Sequence, residues 1–295
     1  MNEPGMQELY PEHLVFAGNG MSSVACVEQL LAGDRLFDIT IFGQETHANY
    51  DRTLLASVLA GERDAESITL NDIEWYQEHG IRTRLGIRVE EIDRANRAVR
   101  SSDGDWTSYD KLILATGATP GIPPIDGLDK PGVFVFGTLD DTRRLSEAAR
   151  PGVRAVVIGG WLAEDAARGL RKRGCDVLVV GQDQIPRFTS ARQFEADIVV
   201  LATDLRPNAM LAVNAGLEVK RGIVVDNQME TSDPYIFAIG GCSEHNGQTF
   251  DRLPPVLEQA KVLARHLTAG QRNNFPDLDS VFQELIASPF HHRAE

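Results

Sequence analysis

The sequence predicts an α/β fold in which strands and helices alternate and parallel sheets are covered by helices. A short apolar run over residues 13–17 is followed by a glycine-containing turn and by apolar residues at helical spacing from Val24 to Leu31. A second strand-turn-helix pattern starts at Arg154, and an apolar strand over 176–180 follows it. With 295 residues, the chain is long enough for about two domains.

Charge and cysteine content narrow the classes of function. The chain has 29 Lys and Arg against 43 Asp and Glu, a net charge of −14, which argues against nucleic-acid binding. No run approaches the roughly 18 apolar residues of a membrane span, and the acidic start lacks the pattern of a signal peptide, so we expect a cytoplasmic protein. Because Cys26, Cys175 and Cys242 are far apart, we expect no metal site and no redox cysteine pair.

The first glycine turn has the pattern of a dinucleotide-binding site. Gly18 allows a tight turn, and Gly20 lets a pyrophosphate approach the backbone at the start of a helix. Ser23 stands where a third small residue is usual. The strand over 37–42 follows, and Glu45 lies about 25 residues after Gly20, where a carboxylate commonly receives ribose hydroxyls.

The second turn lacks this chemistry. Trp161 takes the place of the second essential glycine, and Glu164 brings negative charge to the start of a helix predicted over 165–173. The strand after this helix ends at Gly181 and Gln182, which offers no acid for a ribose. The unit is either a nicotinamide-nucleotide site or a packing remnant, and its residues favour the remnant.

Further strands are predicted over 111–115, 196–202 and 222–225. The Pro- and Gly-rich segment 119–124 is a natural crossing between domains.

An ordered series of motifs covers residues 13 to about 268. They are GNGM at 18–21, NYDRTLL at 49–55, LND at 70–72 with WY at 75–76, ATG at 115–117, RPN at 206–208, GIVVD at 222–226 and TSDPYIFAIG at 231–240. With this series the chain resembles the two-dinucleotide-binding-domain flavoproteins of the pyridine nucleotide-disulfide oxidoreductase class. Within that class it is similar to the N-terminal FAD/NAD(P)H module of the nitrite reductase large subunit.

The resemblance implies a Rossmann-like FAD-binding domain into which a second, shortened Rossmann-like domain is inserted. Residues 1–120 would form the first part of the FAD-binding domain and 209–270 the second part. Residues 121–208 would form the shortened NAD(P)H-like domain. The tail over 271–295 has apolar residues at helical spacing, and it packs either on its own domain or on a partner.

The resemblance also implies the residues that bind FAD. Gly18, Gly20 and Met21 would cradle the pyrophosphate, and Glu45 would hold the adenosine ribose. Arg52 would lie beside the flavin phosphates or the ring edge. The other implied contacts are Ser22, Thr116, Gly117, Gly240, Gly241, Pro255 and Val256.

These other contacts have implied places along the cofactor. Thr116 and Gly117 would close the adenine-side pocket, and residues 238–242 would pass under the ribityl chain. Residues 254–256 would start a helix whose positive end faces the flavin C2 carbonyl and N1, which stabilises the reduced anion. The resemblance assigns no catalytic side chain.

Several departures from the family pattern bear on function. Only residues 181–195 connect two strands where the family has a helix and several strands, so the segment is expected to hold a loop and at most one short strand. Gly241 replaces the acid that binds the ribityl chain, and Glu244 is the one candidate substitute. The downstream acceptor domains are missing from this sequence, so we expect that the chain does not reduce nitrite by itself.

The sequence therefore predicts an FAD-dependent oxidoreductase or electron-transfer component related to nitrite and nitrate assimilation. It would move electrons between a donor and a separate redox protein or enzyme subunit, and direct use of NAD(P)H is doubtful. One alternative is a non-catalytic subunit or interaction module that keeps the flavoprotein fold. Another is a flavoenzyme that acts on a small substrate in a pocket bordered by residues 186–194. The oligomeric state stays open.

Overall fold

The computed structural model describes residues 11–187 and 195–269, which divide into two compact units. The first unit comprises residues 11–48, 72–117 and 209–269, and the second comprises residues 49–71, 118–187 and 195–208. The predicted tail over 271–295, and residues 188–194 of the expected pocket border, lie outside the described residues.

The strands, in chain order, are β1 (Glu12–Ala17), β2 (Phe37–Gly43), β3 (Asn49–Tyr50), β4 (Thr69–Asn71), β5 (Arg82–Leu85), β6 (Val89–Asp93), β7 (Ala98–Ser101), β8 (Trp106–Ser108), β9 (Lys111–Leu114), β10 (Ala118–Pro120), β11 (Val133–Val135), β12 (Arg154–Gly159), β13 (Asp176–Gly181), β14 (Ile198–Ala202), β15 (Leu205–Pro207), β16 (Ile223–Val225), β17 (Ile236–Ala238), β18 (Ser243–His245) and β19 (Gln248–Thr249). The helices are α1 (Met21–Leu31), α2 (Leu55–Ala60), α3 (Ile73–Glu78), α4 (Leu139–Ala148), α5 (Trp161–Lys172), α6 (Met210–Asn214) and α7 (Leu253–Ala269). Short 3₁₀ turns lie at Arg52–Leu54, Glu66–Ile68, Gln182–Arg187 and Gly240–Cys242.

The first unit is built on a parallel sheet in the order β17-β9-β1-β2-β5. Its central strands are apolar runs whose side chains are buried, as expected for a parallel sheet covered by helices. Helices α1 and α7 pack against each other, and both contribute to the same core as the sheet. Because β1, β9 and β17 run in the same direction, the residues that follow each of them meet at one edge.

The second unit has a parallel sheet in the order β11-β14-β12-β13. Helix α5 packs on β12 and β13, and α2 packs on α4 and α5. Strand β13 lies at the edge of this sheet, and Leu178 on it is 59% exposed. The predicted α/β class with parallel sheets is confirmed in both units.

Residues 49–71 lie in the second unit, although the sequence prediction included them in the segment 1–120. Their helix α2 places Leu59 against Gly169 of α5, where an added Cβ would come within 2.8 Å of the Leu59 side chain. Arg173 also donates from its guanidinium to the Leu59 carbonyl. These contacts join parts of the chain that are far apart in sequence, so local patterns give no signal for them.

Two local predictions for the second unit need correction. Helix α5 begins at Trp161 and not at residue 165, because the amide of Ala163 already donates to the carbonyl of Gly160 at 3.0 Å. The strand β13 ends at Gly181, and an acid does follow it, since Asp183 lies two residues further in the 3₁₀ turn. The part of the short connection that is described is this turn.

Within residues 11–187 and 195–269, no helix combines the length and apolarity needed to cross a membrane.

Helix α4 has a complete capping box, and this generates a stability prediction. The Asp141 amide donates to Thr138 Oγ1 at 3.0 Å, and the Thr138 amide donates to Asp141 Oδ2 at 3.1 Å. We expect Thr138→Ala to lower the free energy of unfolding by about 1 kcal/mol, measured by urea denaturation. Thr138→Ser keeps the hydroxyl and should retain most of the stability. An unchanged urea midpoint in Thr138→Ala would contradict this assignment.

Candidate cofactor site

The turn between β1 and α1 depends on a glycine contact. Gly18 has a φ of +129°, and a Cβ added there would overlap the carbonyl oxygen of Ala115 at the end of β9. The Gly18 amide donates to the Phe42 carbonyl at 2.8 Å, and Ser23 Oγ donates to the Gly18 carbonyl at 2.6 Å. The absence of a side chain at Gly18 therefore lets three adjacent segments of the sheet meet at this turn.

The start of α1 is open to an anion. Gly20 is the N-cap residue in an extended conformation, and no atom of the described residues lies within 4 Å of a Cβ added to it. The first turn of α1, which includes Met21 and Ser22, contains no acidic residue. Backbone N–H groups and the positive end of the helix dipole therefore face a space that a phosphate can enter.

A second helix N-terminus meets the first one at Gly240. This glycine has a φ of +80°, and a Cβ added to it would lie 2.7 Å from Ser22 Oγ and 3.9 Å from Val256 Cγ1. Pro255 is buried in the first turn of α7, where a proline costs no helical hydrogen bond. The structure thus brings together the predicted residues at the start of α1, at Gly240 and at the start of α7.

Buried polar groups hold the Gly240 turn in place. The Gly240 amide donates to Gln259 Oε1 at 2.6 Å, and Ser243 Oγ donates to the Gly240 carbonyl at 2.8 Å. The Cys242 thiol lies 3.4 Å from the Leu114 carbonyl oxygen and hydrogen bonds with Thr116. Thr116 and Gly117 therefore follow β9 beside this turn, and Gly117 has a φ of +69° with open space around its α-carbon among the described residues.

Two polar side chains at the site were missed by the sequence analysis. Asn19 accepts a hydrogen bond from Tyr76 Oη at 2.9 Å, while its buried Nδ2 has no partner in the described part of the chain. Gln259 Nε2 is also buried and has no hydrogen-bond partner among the described residues. A donor that is buried without an acceptor suits a site that a polar cofactor completes. The available signals were an Asn between two glycines and a lone Gln on the apolar face of α7.

Glu45 follows β2 at the same edge of the first sheet. Two residues before it, Gly43 packs on the side chain of Asn19, with 3.0 Å between a Cβ built on Gly43 and the Asn19 Cβ. The Glu45 carbonyl accepts from the Gly86 amide at 2.9 Å, and the residue is half-buried. This position beside the glycine turn suits the predicted contact with a ribose.

Glu244, the candidate substitute for the ribityl-binding acid, has a structural role in the fold. It is 3% exposed, and its Oε2 accepts from the amides of Arg221 and Gly222 at 2.7 and 2.9 Å. This oxygen fixes the turn before β16, so Glu244 does not replace the acid that is lost at Gly241.

Arg52 lies in the second unit. Its Nη1 donates to the Gly137 carbonyl at 2.9 Å, and its guanidinium lies 5.3 Å from the centre of the Tyr50 ring. Its contact with the flavin stays a prediction.

The three cysteines are buried and not bonded to one another. Burial raises the pKa of the Cys26, Cys175 and Cys242 thiols, which keeps them protonated at neutral pH. Across residues 11–187 and 195–269, no group of three or more His, Cys, Asp or Glu side chains is arranged to hold a metal ion.

A glycine turn that opens on a helix N-terminus, a second helix N-terminus at the same edge and a second βαβ unit together define a flavoprotein with two dinucleotide-binding-type units. The family model of the pyridine nucleotide-disulphide oxidoreductases matches residues 12–191 and 182–264. The chain belongs to this family. Membership confirms the predicted resemblance, the Rossmann-like fold and the oxidoreductase class, and it implies binding of FAD and NAD(P)H.

Individual relatives agree with this assignment. The chain is 39% identical over 300 residues to the assimilatory nitrate reductase electron transfer subunit of Bacillus subtilis, covering 87% of this chain and 39% of that protein. It is 39% identical over 301 residues to the nitrite reductase [NAD(P)H] of the same organism, covering 87% of this chain and 37% of the relative. A ferredoxin reductase from Rhodopseudomonas palustris superposes with a TM-score of 0.78 at 25% identity, covering 90% of this chain and 78% of that structure.

The thiol environment predicts slow labelling. We expect all three cysteines of the native protein to react slowly with a chromogenic disulfide reagent at pH 7.5, because the reactive thiolate is scarce and shielded. In denaturant the same thiols should react at the rate of a free cysteine. Rapid labelling of any one of them in the folded protein would contradict the burial described here.

Because the space beside Gly20 is open, we expect a side chain at this position to weaken FAD binding more than it destabilises the fold. We expect Gly20→Ala to lower FAD affinity about tenfold or more, because the methyl group enters the space that the pyrophosphate needs, while the change of N-cap residue costs the fold about 1 kcal/mol or less. Flavin fluorescence titration measures the affinity. Gly33→Ala, just beyond the other end of α1, makes only ordinary contacts and is the matched control. Equal FAD affinity in both variants would reject Gly20 as part of the cradle.

Proposed function

We propose that this chain is an FAD-dependent oxidoreductase that moves electrons between a donor and a separate redox protein, in a role related to nitrite and nitrate assimilation. The observation that carries the proposal is the meeting of the starts of α1 and α7 at Gly240, beside the glycine turn at Gly18 and Gly20, where the start of α1 is open. The relatives, which include an electron transfer subunit, point to the same class of activity. Because the chain spans 39% and 37% of those two relatives, their whole activities are not carried over.

The residues of the first unit suit the parts of FAD. The amides at Gly20, Met21 and Ser22 would bind the pyrophosphate, and Glu45 would accept ribose hydroxyls. Thr116 and Gly117 would border the adenine side. We keep the predicted FAD-binding domain as residues 1–120 with 209–270, from which the structure's compact units separate residues 49–71.

The flavin end would lie near the start of α7. Gly240 and Gly241 provide a backbone without side chains, and the first N–H after the two prolines of α7 belongs to Val256. Bound FAD supplies the redox step itself. The positive end of α7 would favour negative charge on a group beside it, and Arg52 would add a cation.

The net charge of the chain indicates the kind of surface that a redox partner would present. With a net charge of −14, the chain would attract a partner that presents a basic surface, because opposite potentials accelerate encounter. The donor is either NAD(P)H, which the family implies, or a second redox protein.

A non-catalytic module is the second candidate, and one observation favours it. Gly241 stands where a carboxylate would bind the ribityl chain, and the Glu244 carboxylate is engaged with backbone amides. The loss of one hydrogen bond costs about 1 kcal/mol, which weakens FAD binding without abolishing it.

A visible absorption spectrum tests the proposal. We expect purified protein supplied with FAD and passed through a desalting column to retain a flavin spectrum that dithionite bleaches under anaerobic conditions. NADH and NADPH are then added separately to the oxidised protein. Bleaching by either nucleotide identifies it as a direct donor, and bleaching by dithionite alone indicates a protein donor. Loss of all flavin on the column would overturn the proposal in favour of the non-catalytic module, with Gly20→Ala as the matched flavin-poor control.

A further inference from the structure

Both units use the same glycine contact where a strand, β1 or β12, leads into a helix, α1 or α5. In the second unit, Gly159 ends β12 with a φ of +154°, and an added Cβ would overlap the carbonyl oxygen of Ala202 at the end of β14. Gly18 makes the equivalent contact with Ala115 in the first unit. Gly18 and Gly159 therefore occupy equivalent positions, and the residues that follow each of them correspond to one another in order.

The position two residues after the anchoring glycine differs between the units. In the first unit it is Gly20, with no described atom within 4 Å of an added Cβ. In the second unit it is Trp161, the first residue of α5, which is 47% exposed. The indole therefore extends from the position where the first unit leaves room for a pyrophosphate.

The residue that follows the neighbouring strand differs as well. ATG at 115–117 corresponds to ATD at 202–204, so Asp204 takes the position of the open glycine Gly117. Asp204 Oδ1 lies 3.2 Å from a Cβ built on Gly160, the N-cap residue of α5. A carboxylate thus lies at the helix N-terminus where a phosphate would bind.

The charges around this turn are predominantly negative. Glu164 is in the first turn of α5, whereas α1 has no acid in its first turn. No ion pair joins Asp204 or Glu164 to another residue in the described ranges. Arg206 is the nearby cation, and its guanidinium packs on Gly121, whose amide donates to the Asp204 carbonyl at 3.1 Å. A dinucleotide would bring two further negative charges to this turn.

The ribose acid, in contrast, is present in both units. Glu45 lies two residues after Gly43 at the end of β2, and Asp183 lies two residues after Gly181 at the end of β13. Asp183 Oδ1 is 2.6 Å from a Cβ built on Gly181, so its carboxylate stays beside the strand end. An acid at this position favours a free 2′-hydroxyl and disfavours a 2′-phosphate.

We propose that Trp161 and Asp204 close the second unit to the pyrophosphate of a dinucleotide, while Asp183 preserves the position that selects a ribose without a 2′-phosphate. The residues of this unit therefore do not fit NAD(P)H, although they belong to a turn of the right shape. If the chain has the proposed function, on which this last step rests, a second unit closed to dinucleotides leaves the reduction of FAD to a redox protein.

Isothermal titration calorimetry with NADH and with NADPH tests the inference, first in the absence and then in the presence of FAD. We expect the wild-type protein to bind neither nucleotide in its second unit at concentrations up to about 1 mM, a range that corresponds to very weak binding. Asp204→Asn removes the charge alone, and Trp161→Gly removes the bulk alone. The double variant Trp161→Gly/Asp204→Asn should gain about tenfold in NADH affinity, and less in NADPH affinity because Asp183 is retained.

The controls separate this effect from general changes in the protein. Trp106→Gly removes another exposed tryptophan, and Asp176→Asn removes an exposed carboxylate at the opposite end of β13. Neither should change nucleotide affinity. Addition of Asp183→Asn to the double variant should abolish its preference for NADH. Tight NADH binding by the wild type, or no gain in the double variant, would overturn the inference. Loss of FAD with the expected nucleotide results would reject the proposed function alone.

Discussion

The contact between a glycine α-carbon and the carbonyl oxygen of a neighbouring strand determines the site in each unit. At Gly18 and at Gly159 a side chain would overlap that oxygen. The ends of β1 and β12 can therefore approach β9 and β14 this closely only because a glycine stands there. This approach fixes where the following helix begins and where its first N–H groups point. The contact therefore defines both the backbone of the turn and the position of the helix N-terminus that follows it.

Buried polar groups then hold the first site in shape. The Gly240 turn carries a positive φ and lies against Ser22, so it needs partners that keep its backbone in place. Gln259 and Ser243 supply them from inside the unit. Because a buried polar group must be satisfied, α7 cannot shift along the sheet without breaking these hydrogen bonds. The packing of α7 against α1 thus fixes both helix N-termini relative to each other.

The sequence was informative wherever structure depends on local pattern. Apolar runs identified β1, β2 and β12, because a parallel sheet covered by helices buries both faces of such a strand, and they also identified the edge strand β13. It was less informative where distant segments decide the outcome. The role of Glu244 depended on amides more than 20 residues away, and the packing of residues 49–71 depended on α5. The roles proposed for Asp204 and Asp183 depend on aligning the strand ends of the second unit with those of the first.

The difference between the two turns has a physical explanation in the contacts that each position makes. Gly18 and Gly159 touch the neighbouring strand, so a substitution there would cost the fold. A Cβ added at Gly20 or Gly117 would meet no described atom beyond the chain neighbours, so these glycines contribute little to packing, although the φ of +69° at Gly117 itself favours glycine. A unit released from binding a dinucleotide can therefore accept a tryptophan and an aspartate at the open positions while it keeps its anchoring glycine. The second unit has this pattern, since Gly159 is kept and Trp161 and Asp204 stand at the positions that correspond to Gly20 and Gly117.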